Sequence, residues 1–200
     1  MSLPNNSNSP LNPPLLNIPN ILTSIRIAAI PGVVALLYRP HDSTGDLWAA
    51  GLFGFAFWTD FFDGMIARRT HTSTRLGRIM DPLADKLIVL AAALMLIHLE
   101  RINVIIAILL LSREIAVSGL RSLAGTEGIL ISSTLSARIK AFAEGFALGF
   151  LILGPENRWL GIPWMEVGEW LLYVALGLAL WSAAIYFRDY YRGTIHSSSP

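Results

Sequence analysis

The stretch "LWAAGLFGFAFWTDFFDGMIARR" (Leu47–Arg69) joins a long uncharged run to two carboxylates, Asp60 and Asp63, and two arginines. As a helix rising about 1.5 Å per residue, this stretch would cross most of a hydrocarbon core about 30 Å thick. Carboxylates at such a position are unfavourable unless a ligand or partner compensates their charge. The stretch therefore predicts a membrane helix that ends in a polar site.

The composition of the 200-residue chain also indicates a membrane protein. Hydrophobic residues make up 54% of it, charged residues only 14%, and the mean hydropathy is +0.54. An average soluble domain has about 25% charged residues. The chain has no cysteine, which excludes a disulfide framework or a thiolate site. The net charge of +1 is uninformative, and we expect no nucleic-acid partner.

Six apolar blocks predict an all-α integral membrane bundle of six transmembrane helices in one domain, residues 17–192. Arg26 and Pro31 lie in the first block, whose first turns could form an interfacial helix. Residues 1–16 and 193–200 are expected to be disordered tails, because they are rich in Pro, Asn and Ser. The blocks are Ile21–Tyr38, Leu47–Arg68, Gly77–Leu99, Asn103–Leu123, Leu135–Leu153 and Val167–Phe187.

The distribution of cations predicts the orientation, because cytoplasmic loops retain Lys and Arg. Ten of the fifteen cations lie at one end of the predicted helices, which places both termini in the cytoplasm. These ten are Arg26, Arg68, Arg69, Arg75, Arg78, Arg121, Arg138, Lys140, Arg188 and Arg192, and the opposite end has Arg39, Arg101 and Arg158.

A second pair of carboxylates follows the basic loop, in "GRIMDPLADKL" (Gly77–Leu87). Asp81 and Asp85 reach the membrane depth of Asp60 and Asp63 from the other direction. Four carboxylates brought together would repel one another or take up protons, and a divalent metal resolves this. Ligands that are all oxygen favour Mg²⁺, with Mn²⁺ as the alternative, and Mg²⁺ sites commonly include substrate phosphates.

Simpler interpretations exist for each of these residues. Asp81 precedes Pro82 and could cap a helix that has proline at its first position. Asp60 and Asp63 could pair with neighbouring arginines. Small residues that share the aspartate faces, such as Gly64 and Ala67, could serve helix packing. We prefer this last interpretation for a further pair, Gly145 and Gly149.

The complete spacing resembles the signature of the CDP-alcohol phosphatidyltransferases at all eight positions: Asp60, Asp63, Gly64, Ala67, Arg68, Gly77, Asp81 and Asp85. The resemblance implies a six-helix membrane enzyme, usually dimeric, that transfers a phosphatidyl group from CDP-diacylglycerol to an alcohol and releases CMP. It implies that Asp60, Asp63 and Asp81 bind metals and that Asp85 is the general base and also a candidate ligand. Asp63, Gly64, Ala67, Arg68 and Gly77 would contact the CDP group.

The acceptor alcohol is indicated by two further stretches, "NIPNILTSIRI" (Asn17–Ile27) and "SREIAVSGLRSLAGTEG" (Ser112–Gly128), which resemble the phosphatidylglycerophosphate synthase branch. That branch uses sn-glycerol 3-phosphate, whose phosphate needs fixed cations. The candidates are Arg113, Arg121, Arg138 and Lys140. The enzyme would then lie in a bacterial inner membrane with its active site facing the cytoplasm.

Alternatives remain open for several of these residues. Arg113 could instead form a structural ion pair with Glu144 or Asp63, whereas Glu114 points about 100° away and is not the expected partner. Arg138 and Lys140 could be topology signals only.

The chain also departs from the branch pattern at Ala141 and Glu144, where Thr and Gln are common. Inositol phosphate, serine or phosphatidylglycerol could therefore be the acceptor. A cation transporter is the more distant alternative. A membrane scaffold without activity would not explain the spacing of the aspartates.

Overall fold

The fold is all-α in the computed structural model, which describes residues 18–38, 43–70, 75–126 and 135–197. Side chains are described at 21–38, 43–59, 80, 83–126, 139–158 and 160–192. Across these ranges there are six α-helices and no strand. The helices are α1 Ile18–Tyr38, α2 Ser43–Thr70, α3 Arg75–His98, α4 Val104–Thr126, α5 Leu135–Leu153 and α6 Trp164–Ser197, with a 3₁₀ turn at Trp159–Gly161 before α6.

The six predicted helices are confirmed, and the predicted bounds of α5 agree with the structure. The largest difference is in α6, which begins at Trp164 and continues past Phe187 to Ser197. Its last turns have few apolar residues, so a search for apolar blocks ends before the helix does. The last turn of α6 extends into the segment that was expected to be a tail.

The arrangement of the bundle is described by the neighbours of α1, α5 and α4. α1 packs against α2 and α3, and α5 packs along α6 while also contacting α2. α4 contacts mainly α6, so it lies on the far side of the bundle from α1. The core between these helices consists largely of alanine and medium-sized aliphatic side chains, including Ala49, Ala56, Ala92, Leu96, Ala147, Leu151, Leu172 and Ala179.

Glycines permit the closest helix contacts. A Cβ atom on Gly145 would overlap the ring of Phe57, which confirms that this glycine serves packing of α5 on α2. A Cβ atom on Gly168 would lie 3.0 Å from the Ala147 carbonyl oxygen, within the backbone of α5. Small residues at helix interfaces are typical of membrane bundles, where close backbone approach increases van der Waals contact.

The bundle end opposite the aspartates is closed by a buried ion pair. Arg101, which follows α3, donates from Nη2 to Asp46 Oδ2 on α2 at 2.5 Å, and from Nη1 to the Ile152 carbonyl oxygen at 2.8 Å. Gly154 follows α5 with φ +73° and approaches this pair closely. The sequence identified Arg101 only as a loop cation. In the structure it joins α2, α3 and the end of α5.

Large apolar side chains cover much of the outer surface, as expected for a membrane protein. Trp48, Ile115, Trp170 and Trp181 are each about two-thirds exposed or more. Two of the described helical segments, Ile21–Tyr38 and Trp164–Arg192, are long and apolar enough to span a membrane. Six spans and cytoplasmic termini stay predictions.

Candidate active site

The four aspartates lie on two consecutive helices. Asp60 and Asp63 are on the last turns of α2, Asp81 and Asp85 are on the first half of α3, and four residues, 71–74, connect the helices. α2 and α3 also contact each other, so both pairs lie at the same end of the bundle. Because α3 begins at Arg75, Asp81 lies inside the helix. The helix-capping interpretation of Asp81 is therefore wrong.

Several predicted site residues have side chains outside the described part of the chain. They are Asp60, Asp63, Gly64, Ala67, Arg68, Gly77, Asp81 and Arg138. Their metal, CDP and phosphate contacts stay predictions, as does pairing of Asp60 or Asp63 with the neighbouring arginines. The described side chains alone contain no group of three potential metal ligands. The donor set of the four aspartates, all carboxylate oxygen, fits Mg²⁺ or Mn²⁺ chemically.

Asp85 is held by an arginine from another helix. Arg26 on α1 donates from Nη1 to Asp85 Oδ1 at 2.5 Å. The Arg26 side chain is only 1% exposed, whereas that of Asp85 is 37% exposed. A buried guanidinium therefore fixes the carboxylate from the α1 side while leaving it accessible to a ligand.

Asp85 faces a cavity of about 440 Å³ between the helices. The cavity is large enough for a small molecule and extends to α3, α4 and α5. Its walls are mostly apolar, with Phe57, Ile88, Leu111 and Ile115 among them. Its charged lining residues are Arg26, Asp85, Lys86, Glu114, Arg121 and Glu144. A mostly apolar cavity with a few convergent charged groups is typical of a ligand site.

Two of the four predicted phosphate-binding cations pair with glutamates. Arg113 donates from Nη1 to Glu114 Oε1 at 2.7 Å, which shows that the expectation against Glu114 as its partner was wrong. Although the two residues point about 100° apart on the helix, the long Arg113 side chain reaches the carboxylate of Glu114. Lys140 contacts both Glu114 and Glu144 and is 3% exposed. Two cations and two carboxylates thus form one network between α4 and α5, in which Glu114 is partly exposed and the other three side chains are buried.

The same network is anchored to α6. Arg113 donates from Nε to the Ala179 carbonyl oxygen at 3.0 Å and from Nη2 to Ser182 Oγ at 2.5 Å. Arg113 therefore links α4 to α6 through both a main-chain and a side-chain acceptor. A phosphate role for Arg113 and Lys140 stays a prediction, since both also have a clear structural role.

Arg121 is the member of the predicted phosphate set that lines the cavity. It is exposed, donates from Nη2 to the Tyr186 hydroxyl oxygen at 2.9 Å, and lies 5.3 Å from the centre of that ring. Lys86, which the sequence did not single out, also lines the cavity and donates to Ser118 Oγ at 2.5 Å.

Sequence reasoning missed the roles of Arg26 and Lys86. Arg26 was counted as a topology signal, yet an arginine in the apolar run "SIRIAAI" indicates a buried partner. Lys86 follows Asp85 directly, within the third predicted block. Its position one residue from the predicted base was the available signal.

Residues 16–181 match the CDP-alcohol phosphatidyltransferase family, which is most of the chain. The chain belongs to this family. Among its relatives is the CDP-diacylglycerol--glycerol-3-phosphate 3-phosphatidyltransferase of Rickettsia typhi, 39% identical over 173 residues that cover 86% of this chain and 96% of the relative.

Two further relatives are less similar to this chain. A protein of Bacillus subtilis with the same name as the Rickettsia relative is 33% identical over 169 residues, covering 78% of this chain and 88% of the relative. A cardiolipin synthase (CMP-forming) of Oryza sativa is 31% identical over 206 residues, covering 92% of this chain and 60% of the relative.

Removing Lys140 should destabilise the bundle, because Glu144 would then be a buried carboxylate without its cation. For Lys140→Met we expect a loss of about 3–5 kcal/mol in the free energy of unfolding in detergent. Arg188→Met is the matched control, since Arg188 pairs with Asp189 on the exposed surface of α6 and should contribute less than about 1 kcal/mol. A Lys140→Met protein as stable as the control would contradict a structural role for the network.

Proposed function

We propose that this chain transfers a phosphatidyl group from CDP-diacylglycerol to sn-glycerol 3-phosphate, giving phosphatidylglycerophosphate and CMP. The observation that carries the proposal is the shared cavity of Asp85 and Arg121, at the bundle end of the family's aspartate helices. Such a cavity can hold a small phosphorylated alcohol beside a carboxylate base. The names of the Rickettsia and Bacillus relatives support the same acceptor.

The donor would bind along α2 and the start of α3. We assign Asp60, Asp63, Asp81 and Asp85 to Mg²⁺, with Mn²⁺ as the alternative, and Asp63, Gly64, Ala67, Arg68 and Gly77 to the CDP group. A bound divalent ion would neutralise phosphate charge on the donor and on the departing CMP. Glycine and alanine leave room for a nucleotide near the backbone.

Asp85 would act as the general base of the transfer. It takes the proton of the acceptor hydroxyl as the hydroxyl oxygen forms a bond to the β-phosphorus of the donor, the one that bears diacylglycerol. The bond from that phosphorus to the oxygen bridging to CMP breaks, and CMP leaves with the bonding electron pair. Arg26 would orient the Asp85 carboxylate by its 2.5 Å contact to Oδ1. No covalent intermediate is required.

Arg113, Arg121, Arg138 and Lys140 are our candidates for the acceptor phosphate. Arg121 is the strongest of the three with described side chains, because it lines the cavity and has no carboxylate partner among the described residues. Arg113 and Lys140 are compensated by Glu114 and Glu144. These two would support the pocket wall even where they do not contact phosphate directly.

Phosphatidylglycerol is the second candidate acceptor. The observation that favours it is the similarity to the Oryza cardiolipin synthase. A bulky lipid acceptor has less need of the cations around the cavity, so we rank it below sn-glycerol 3-phosphate. Inositol phosphate and serine rank lower, because the names of the Rickettsia and Bacillus relatives refer to glycerol 3-phosphate.

The location of the site suits a lipid donor. Acyl chains of CDP-diacylglycerol can remain in the bilayer while the pyrophosphate reaches the aspartates at one end of the bundle. We place the site at the cytoplasmic face of the membrane on the basis of the cation distribution. A bacterial inner membrane is proposed from the bacterial relatives, and a homodimer of single-domain residues 17–192 is proposed from the resemblance to the family.

Purified protein with Mg²⁺ and CDP-diacylglycerol should release CMP when sn-glycerol 3-phosphate is added. Inositol phosphate, serine and phosphatidylglycerol are then offered singly at the same concentration. Each should give at most about a tenth of that rate, which corresponds to a free-energy difference of about 1.4 kcal/mol between acceptors. CMP release would be measured by chromatography. Release with phosphatidylglycerol alone would overturn the acceptor assignment, and no acceptor-dependent release would overturn the enzyme assignment.

Asp85→Asn should lower turnover by about hundredfold or more, because an amide cannot accept the hydroxyl proton. The rate of CMP release at saturating substrates is the measurement, and an unchanged elution volume in detergent shows that the variant is folded. Asp189→Asn, an equal change at an exposed position on α6, is the control and should keep wild-type turnover. Turnover of Asp85→Asn close to that of the control would remove Asp85 from the base role.

A further inference from the structure

The charged groups around the cavity divide into two classes by the partners they contact. Asp85 is paired with Arg26, and both Glu114 and Glu144 are paired with Lys140. The remaining cavity-lining cations are Lys86 and Arg121. Within the described part of the chain, these two contact hydroxyl groups and no carboxylate. The described cavity wall therefore has two positive charges that no described carboxylate compensates.

Lys86 is held toward the cavity by a neutral acceptor. Its Nζ donates to Ser118 Oγ at 2.5 Å, across the interface of α3 and α4. The side chain is exposed, so the ammonium group has donor positions available for a ligand as well as for Ser118. Lys86 is also the residue next to Asp85, which places a cation beside the proposed base.

Arg121 lies about one helical turn from Ser118 on α4, and both Arg121 and Lys86 line the cavity. Its Nη2 atom donates to the Tyr186 hydroxyl, and the guanidinium lies against the Tyr186 ring. Tyr186 itself is 1% exposed. The buried Tyr186 ring therefore orients the Arg121 guanidinium. The guanidinium has further N–H donors besides the one bonded to Tyr186.

We propose that Lys86 and Arg121, with the hydroxyls of Ser118 and Tyr186, form the binding site for the phosphate monoester of the acceptor. This inference rests on the proposed function and adds Lys86 and two hydroxyl residues to the site. A phosphate monoester carries a charge of about −1.5 to −2 near pH 7, which matches the two cations that no described carboxylate compensates. Arginine and lysine supply a planar fork and a point charge, and together they can bind several phosphate oxygens.

The position of this site also suits the transfer. A molecule with phosphate at Lys86 and Arg121 remains in the cavity that Asp85 lines, so its hydroxyl can approach the base. Arg113 and Lys140 are already paired with glutamates, and drawing Lys140 away would leave Glu144 as a buried, unpaired carboxylate. Selection of a phosphorylated acceptor over a neutral one would therefore depend on Lys86 and Arg121.

The test compares Lys86→Met, Arg121→Met and the control Arg188→Met in the full-length protein with Mg²⁺ and CDP-diacylglycerol. Loss of a hydrogen bond to a charged group should raise KM for sn-glycerol 3-phosphate by about tenfold or more in the first two variants. kcat at saturating acceptor and KM for CDP-diacylglycerol should stay within about twofold of wild type, because donor contacts are unchanged. Lys86→Arg should recover much of the affinity.

Inorganic phosphate provides a second readout that does not depend on turnover. It should inhibit wild type competitively against the acceptor and raise its unfolding temperature, and both effects should weaken in Lys86→Met. An unchanged KM for sn-glycerol 3-phosphate in Lys86→Met, with active wild type, would overturn this inference and leave the proposed function intact. Phosphate binding that needs Lys86, in a protein without CMP release, would instead overturn the proposed function alone.

Discussion

Charge between apolar helices must be compensated, and this constraint organises the molecule. At one end of the bundle, Arg101 and Asp46 form a buried pair that joins three helices. At the other end, Arg26 pairs with Asp85 across α1 and α3. A buried ion pair adds little net stability compared with apolar packing, but removing one partner is strongly destabilising. Such pairs therefore fix which helices are neighbours.

The same constraint separates structural charges from those available to a ligand. Arg113, Glu114, Lys140 and Glu144 form a network with no formal net charge, which links α4, α5 and α6 beside the cavity that both glutamates line. Lys86 and Arg121 remain with hydroxyl partners on the cavity side. An anionic acceptor would complete the compensation that the described residues leave incomplete. Binding of substrate and stability of the bundle thus follow from one electrostatic requirement.

Most of the fold could be predicted from the sequence because apolar blocks of membrane length define helices almost without reference to one another. The location of Asp81 and Asp85 on one helix face could likewise be predicted, because it follows from the geometry of a single helix. The ion pairs could not be predicted, because they depend on which helices pack together and on how long side chains bend. Arg26 reaches Asp85 from 59 positions away, and Arg113 bends back to Glu114. The position of Lys86 next to Asp85 is visible in the sequence, but its contact with Ser118 depends on how α3 packs against α4.

A structure of the protein with sn-glycerol 3-phosphate bound would test the central claim most directly. We expect the phosphate within hydrogen-bond distance of the Lys86 ammonium and the Arg121 guanidinium, with an acceptor hydroxyl near the Asp85 carboxylate. Arg113 and Lys140 should keep their contacts with Glu114 and Glu144. A phosphate bound between Arg113 and Lys140, with those glutamate contacts broken and Lys86 still on Ser118 alone, would contradict it.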